Sequence, residues 1–192
     1  METEEQMIIR LADVRDADEM LEIYAPYVEQ TAVTFEYEVP AVEDFAKRVA
    51  RVQQRYPWLV AEQADEIIGY AYASAFHERP AYDWSAEVSV YVRQDCRGLG
   101  VGKSLYQMLE QMLALQGILN MNACIACGEA EDEHLTDSSL RFHEKMGFSL
   151  VGRFHQCGYK FRRWYDVVWM EKAIGDHSVP AEPVKLFSGD ML

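Results

Sequence analysis

The chain has 192 residues, 49% hydrophobic and 26% charged, the balance of one globular domain with a sizeable core and not of a disordered protein. Its 32 acidic against 18 basic side chains leave a formal net charge of −14, which disfavours nucleic acid and anionic membranes as partners. No apolar run approaches the ~20 residues that cross a bilayer, the opening Met-Glu-Thr-Glu-Glu-Gln lacks the basic start of a secretory leader, and 4 cysteines in a chain of this size make no disulfide framework; the expected setting is a reducing cytoplasm.

Residues 8–12 read as a first strand, and Asp13 and Asp16 supply helix-start residues before Met20, Leu21, Ile23, Tyr24 and Val28 at helical spacing. Residues 31–39 form a connection carrying Phe35 and Glu36. Pro40 opens a second helix, in which Val42, Phe45, Val49 and Val52 recur near helical spacing, with Glu43 and Asp44 at the positive end of its dipole. Residues 58–61 and 67–73 flank an acidic turn and predict an antiparallel hairpin. The polar, aromatic connection 77–84 is of the kind that carries binding groups, and residues 86–92 are the next strand.

A glycine run, Arg97-Gly98-Leu99-Gly100-Val101-Gly102, leads into a helix from Lys103 with Leu105, Met108, Leu109, Met112 and Leu113 on its core face. Residues 120–127 read as a strand holding Cys124-Ile-Ala-Cys127, taken as buried structural thiols and not zinc ligands, because no second pair accompanies them. The acidic stretch 129–134 reads as a solvated loop. Residues 137–146 predict a short helix ended by Gly147, and 148–154 with 164–170 the closing strands. Residues 1–175 form a single mixed α/β domain; from about Asp176 periodicity is lost, and residues 176–192 read as a tail.

The glycine run is the most specific signal. A strand–glycine turn–helix unit presents unpaired backbone N–H groups at the positive end of a helix dipole, which makes an anion site suited to phosphate. A Walker A loop needs a glycine where Arg97 stands, so that reading fails by one residue; the dinucleotide fingerprint needs G-x-G-x-x-G after the first strand of a βαβ unit, which is absent. Arg93, Arg97 and Lys103 supply local positive charge against the acidic total, since screening limits remote charges to ~8 Å.

Arg97-x-x-Gly100-x-Gly102 resembles the pyrophosphate loop, Arg/Gln-x-x-Gly-x-Gly/Ala, of the GNAT superfamily of N-acetyltransferases, which bind acetyl-coenzyme A. Glu87-Val-Ser-Val-Tyr-Val, the loop, Ser139-Leu-Arg-Phe-His-Glu-Lys-Met-Gly-Phe148 and Gly158-Tyr-Lys-Phe-Arg-Arg-Trp-Tyr-Asp166 are similar, in order, to the phosphinothricin N-acetyltransferase branch. With Thr34-Phe35-Glu36 and Arg79-Pro80-Ala81-Tyr82 the resemblance spans roughly residues 7–172. It implies an α/β fold in which a mixed, largely antiparallel central sheet is flanked by helices on both faces and its strands splay around the cofactor. It implies acetyl-CoA as co-substrate, a small amino-acid-like amine as acceptor, and a homodimer, with no nucleic acid, membrane or metal involved.

The resemblance also assigns residues. Gly98, Leu99, Gly100, Val101, Gly102 and Lys103, with Arg97, would hold the cofactor's phosphates, and the main chain of Ser89, Val90 and Tyr91 its pantetheine arm. Glu87 shares a strand face with Ser89 and matches the family's general base; without the resemblance it reads equally as a solvated strand-end glutamate. His143 stands where many members carry a tyrosine that protonates the leaving thiolate, a role its ordinary pKa suits, although a histidine on a short helix is commonly a packed residue. The family's asparagine before Ser139 is missing, which leaves Thr136, Ser138 or Ser139 to replace its hydrogen bond. Phe35, Glu36, Arg79, Tyr82, Tyr159 and Trp164 fall in blocks that form the acceptor pocket. Arg79 suits either a two-pronged hold on an acceptor carboxylate or a surface ion pair. A peptide N-terminus, polyamine or aminoglycoside acceptor, or a non-catalytic acyl-CoA sensor, are the alternatives.

Overall fold

A computed structural model describes residues 6–189. In chain order the elements are β1 (Ile8–Leu11), α1 (Ala17–Gln30), α2 (Val42–Gln53), β2 (Trp58–Gln63), β3 (Glu66–Ala75), β4 (Ser85–Val92), α3 (Val101–Gln116), β5 (Asn120–Cys127), α4 (Ser138–Lys145), β6 (Ser149–Lys160) and β7 (Arg163–Ala173). The strands form one sheet in the order β1-β2-β3-β4-β5-β7-β6, antiparallel at every pairing except β4–β5. This is the mixed, largely antiparallel architecture expected from the sequence.

Strand alternation sorts side chains onto two covered faces. Leu59, Ala61, Ala71, Ala73 and Val88 meet α3 on one face, while Trp58, Val60, Ile67 and Tyr70 meet α1 and α2 on the other. Leu105, Leu109 and Leu113 of α3 are fully buried, so truncating any one to alanine costs ~2–5 kcal/mol. At the other end of the chain order, Asp13 accepts the Arg15 N–H and Asp16 accepts the Asp13 N–H, a reciprocal cap that turns β1 into α1.

Several sequence expectations change in the folded chain. The strand expected to end at 154 runs on to Lys160 through an irregularity between Phe154 and Gly158, where Gln156 takes φ 48°; the interruption breaks the alternation that signals a strand. The acidic stretch is not simply solvated. Asp132 accepts N–H bonds from His134 and Leu135 and an ion pair from Arg163, and Glu131 pairs with Arg141. The tail is irregular but docked: Val184 and Phe187 pack on the core, Gln116 donates to the Lys185 carbonyl, and the Trp84 indole donates to the Glu182 carbonyl. Of the thiols, Cys127 is buried but Cys124 is exposed, because a three-residue offset puts them on opposite strand faces. Among the described residues no cluster of ligands suits a metal, and no helix is long and apolar enough to cross a membrane.

Candidate active site

The sheet opens between its two parallel strands. β4 and β5 pair only from Ser85 to Glu87 against Asn120 to Asn122, after which β4 continues alongside β3 and β5 alongside β7, leaving a gap between them. Asn122 closes the last rung by donating to the Ala86 carbonyl. At the far end Val92 exchanges hydrogen bonds with the Tyr27 hydroxyl and not with β3. Ala86 and Val92 both face away from β3, so period-two alternation turns the main-chain groups of Val88 and Val90 into the gap and those of Ser89 and Tyr91 toward β3. Of Ser89, Val90 and Tyr91, all of which line the gap, Val90 turns its main chain into it together with Val88, and Ser89 and Tyr91 form side-chain walls.

Below the gap, Gly98 and Gly100 adopt φ 80° and 89°, the left-handed region where a side chain is strained, and a Cβ at either would meet open space. Gly100 starts α3 without a side-chain cap, leaving the N–H groups of its first turn for an external anion. Arg97 is exposed and stacks over the Tyr27 ring at 4.9 Å, and Lys103 is exposed one turn into the helix. Arg93 departs from its expected role, because Glu66 and Asp95 both pair with its guanidinium.

Ser139 and His143 of α4 and Tyr106 of α3 line the other wall of the gap, with Val88 and Ile125. His143 is buried; its Nδ1 faces the Ser139 carbonyl at 2.7 Å and its Nε2 the Tyr106 hydroxyl at 3.0 Å. A carbonyl only accepts, so Nδ1 carries a proton, and burial lowers the imidazole pKa; in the neutral tautomer this leaves, Nε2 accepts from Tyr106. Both imidazole nitrogens are thus engaged, and the hydroxyl beside them belongs to Tyr106, which no local pattern in the sequence singles out. Thr136 donates to the Ser138 hydroxyl on an exposed turn, so of the three candidate hydroxyls Ser139 is the one at the gap.

A cavity of about 270 Å³ shares Val33, Ser89, Tyr91, Cys124 and Ala126 with the gap. Glu87 lines it, half-buried, and burial raises its carboxyl pKa while His77 pulls the other way. Glu36, Arg48 and Tyr72 complete the polar side, against Phe35, Phe45, Trp58 and Tyr70. Trp58 and Tyr72 stack with centroids 4.1 Å apart. Phe35 lies so close to Gly158 that a Cβ there would sit 2.1 Å from its ring. Buried Lys160 donates to the carbonyls of Thr31 and Thr34 and so fixes the loop bearing Phe35 and Glu36.

Of the expected acceptor residues, only Phe35 and Glu36 reach this cavity. Arg79 and Tyr82 lie in the exposed 3₁₀ segment and its cap, where Tyr82 packs on Phe76 and His77. Tyr159 and Trp164 pack on each other on the outer part of the β6–β7 hairpin, 45% and 61% exposed. The guanidinium that lines the cavity belongs to Arg48, which donates to Glu36 at 2.6 Å. Helical spacing marked its neighbours Phe45 and Val49 as core, and nothing local distinguished Arg48 from the other charges of α2.

Residues 9–169 match the family described as acetyltransferase (GNAT) domain, and the chain belongs to that family. Within it the similarity is to the phosphinothricin branch. The phosphinothricin N-acetyltransferase of Streptomyces viridochromogenes is 34% identical over 175 residues, covering 91% of this chain and 90% of that protein. An L-methionine sulfoximine/L-methionine sulfone acetyltransferase of Pseudomonas paraeruginosa is 37% identical over 168 residues, 85% of this chain and 92% of that one. The crystal structure of a GNAT superfamily phosphinothricin acetyltransferase from Sinorhizobium meliloti in complex with acetyl-CoA superposes with a TM-score of 0.82 at 32% identity, covering 93% of each chain.

Proposed function

We propose that this acetyltransferase moves the acetyl group of acetyl-CoA to the primary amine of a small amino-acid-like acceptor of the phosphinothricin or methionine sulfoximine type. The observation that carries the proposal is the shared wall between the gap and the cavity, with Glu87 on the acceptor side of it. The gap fits the co-substrate: the main chain of Val88 and Val90 faces it, and an uncapped helix start over open glycines lies at its foot. Acetyl-CoA supplies an activated acyl group with a thiolate leaving group. Arg97, Lys103 and the N–H groups of residues 98–103 receive its phosphates, and Val90 its pantetheine arm.

Most amines are ammonium ions at neutral pH, so a base must take a proton before attack. Glu87 takes it, and partial burial raises its pKa toward the working range. The Tyr106 hydroxyl turns its one proton from His143 Nε2 to the departing thiolate and takes up in exchange the second proton leaving the acceptor nitrogen. The expected homodimer has its contact surface along edge strand β6, where Leu150, Val151 and Phe154 are exposed. Free-thiol release from acetyl-CoA, measured against phosphinothricin, methionine sulfoximine, ordinary amino acids, polyamines and peptides, tests the reading. Preference for amino acids with tetrahedral side-chain ends supports it; activity on peptides or polyamines alone overturns it.

A further inference from the structure

The Tyr27 side chain of α1 touches both ends of the turn that leads from β4 into the glycine run. Its hydroxyl donates to the Val92 carbonyl at 2.7 Å and accepts from the Val92 N–H at 3.3 Å, while its ring lies under the Arg97 guanidinium at 4.9 Å. β3 takes the next residue instead, Arg93 donating to the Ile68 carbonyl. The hydroxyl thus stands in for the pairing that β5 stops supplying after Glu87, and without it a main-chain donor and acceptor are left unpaired. Tyr27 is buried, and Tyr91 packs edge-on against it with centroids 5.1 Å apart, so the ring is a fixed platform.

That platform orients a cation without neutralising it. Arg93, beside the same turn, is compensated by Glu66 and Asp95, whereas among the described residues no carboxylate pairs with Arg97. In a chain of net charge −14, a guanidinium held by a carboxylate would present little net charge to a phosphate. A π face attracts the cation and leaves its charge uncompensated. Resting on the acetyl-CoA reading above, we infer that Tyr27 is a positioning residue for the donor: its ring holds Arg97, still unpaired, for the pyrophosphate, and its hydroxyl fixes the end of the strand whose main chain takes the pantetheine arm.

The test compares Tyr27→Phe, which loses the hydroxyl and keeps the ring, with Tyr27→Leu, which loses both. The readouts are calorimetric affinity for coenzyme A, and kcat/KM for acetyl-CoA and for S-acetyl-pantetheine, which has the thioester and the arm but no pyrophosphate. Tyr27→Phe is expected to lower kcat/KM for both donors by the same factor, about threefold, the scale of a weak hydrogen bond. Tyr27→Leu is expected to cost coenzyme A and acetyl-CoA about a further tenfold, carried by KM, and S-acetyl-pantetheine nothing further. In an Arg97→Ala background, Tyr27→Phe and Tyr27→Leu are expected to bind coenzyme A equally, since the ring then has no cation to hold. A Tyr27→Leu enzyme that loses both donors in the same proportion overturns the inference, as does a difference between the two substitutions that survives Arg97→Ala; calorimetry decides the second point without the truncated donor. If Arg97→Ala weakens coenzyme A and Tyr27→Leu does not, this inference fails and the phosphate role of Arg97 stands; if Arg97→Ala leaves the affinity unchanged, that role fails first.

Discussion

The gap between β4 and β5 and the cavity beside Glu87 share a wall but are made of different parts of the chain. The gap presents main-chain groups of Val88 and Val90 and the first turn of α3, so it depends on glycine conformation and strand register more than on side-chain identity. The cavity is made of side chains from α1, the 31–39 connection, α2 and strands β2 to β5 and β7. A main-chain site tolerates sequence change at most positions and suits an invariant donor, whereas a side-chain site changes its ligand with one substitution.

That contrast can be broken from either side. Gly100→Trp strains the left-handed position and fills the open space above it, so acetyl-CoA affinity is expected to fall below detection by calorimetry, a loss of at least ~100-fold. Glu87→Gln is expected to leave that affinity nearly intact and cut turnover ~100-fold or more. Gly158→Ala pushes Phe35 out of place and is expected to raise the acceptor KM ~10-fold, about 1.4 kcal/mol and so at the lower end of the ~1–3 kcal/mol that overpacking costs, with acetyl-CoA KM unchanged. Lys160→Met strands the carbonyls of Thr31 and Thr34; a loss of ~1–3 kcal/mol in denaturant unfolding is expected, with a several-fold rise in acceptor KM only. A variant of this second pair that weakened acetyl-CoA binding instead would dissolve the distinction.

The same contrast explains what the sequence disclosed. The glycine run is contiguous and its function lies in the main chain, so residue spacing alone excluded two nucleotide loops and left an anion site. Strand alternation puts Glu87 on one face with Ser89, and the family resemblance is what singles it out. Helical spacing puts Tyr24 and Phe45 on apolar helix faces and the strand runs include Trp58 and Tyr70, but whether a buried aromatic fills the core or walls a cavity is decided by how α1 and α2 lie across the sheet, which periodicity does not encode. Arg79 lies in a block that the resemblance assigns to the acceptor pocket, yet that segment folds as an exposed turn, and the guanidinium lining the cavity is that of Arg48, paired with Glu36 12 residues away in sequence. Tyr106 sat among core residues of α3 and acquired a partner only when α4 brought His143 against it.

A smaller effect concerns stability. The folded state raises the Glu87 pKa, so its ionised form costs stability at neutral pH, and that cost disappears as pH falls below the ordinary glutamate range, where both folded and unfolded states hold the proton. Glu87→Gln is therefore expected to melt above the wild-type enzyme at pH 7, with the difference shrinking on acidification.

The most direct measurement is the pH dependence of acceptor turnover in the wild-type and Glu87→Gln enzymes at saturating acetyl-CoA. A buried general base predicts an acid limb, rate lost as pH falls through a pKa above the usual glutamate value, present in the wild type and absent from the residual activity of the variant. An identical limb in both enzymes, or turnover undiminished by the substitution, would contradict the placement of the base at Glu87.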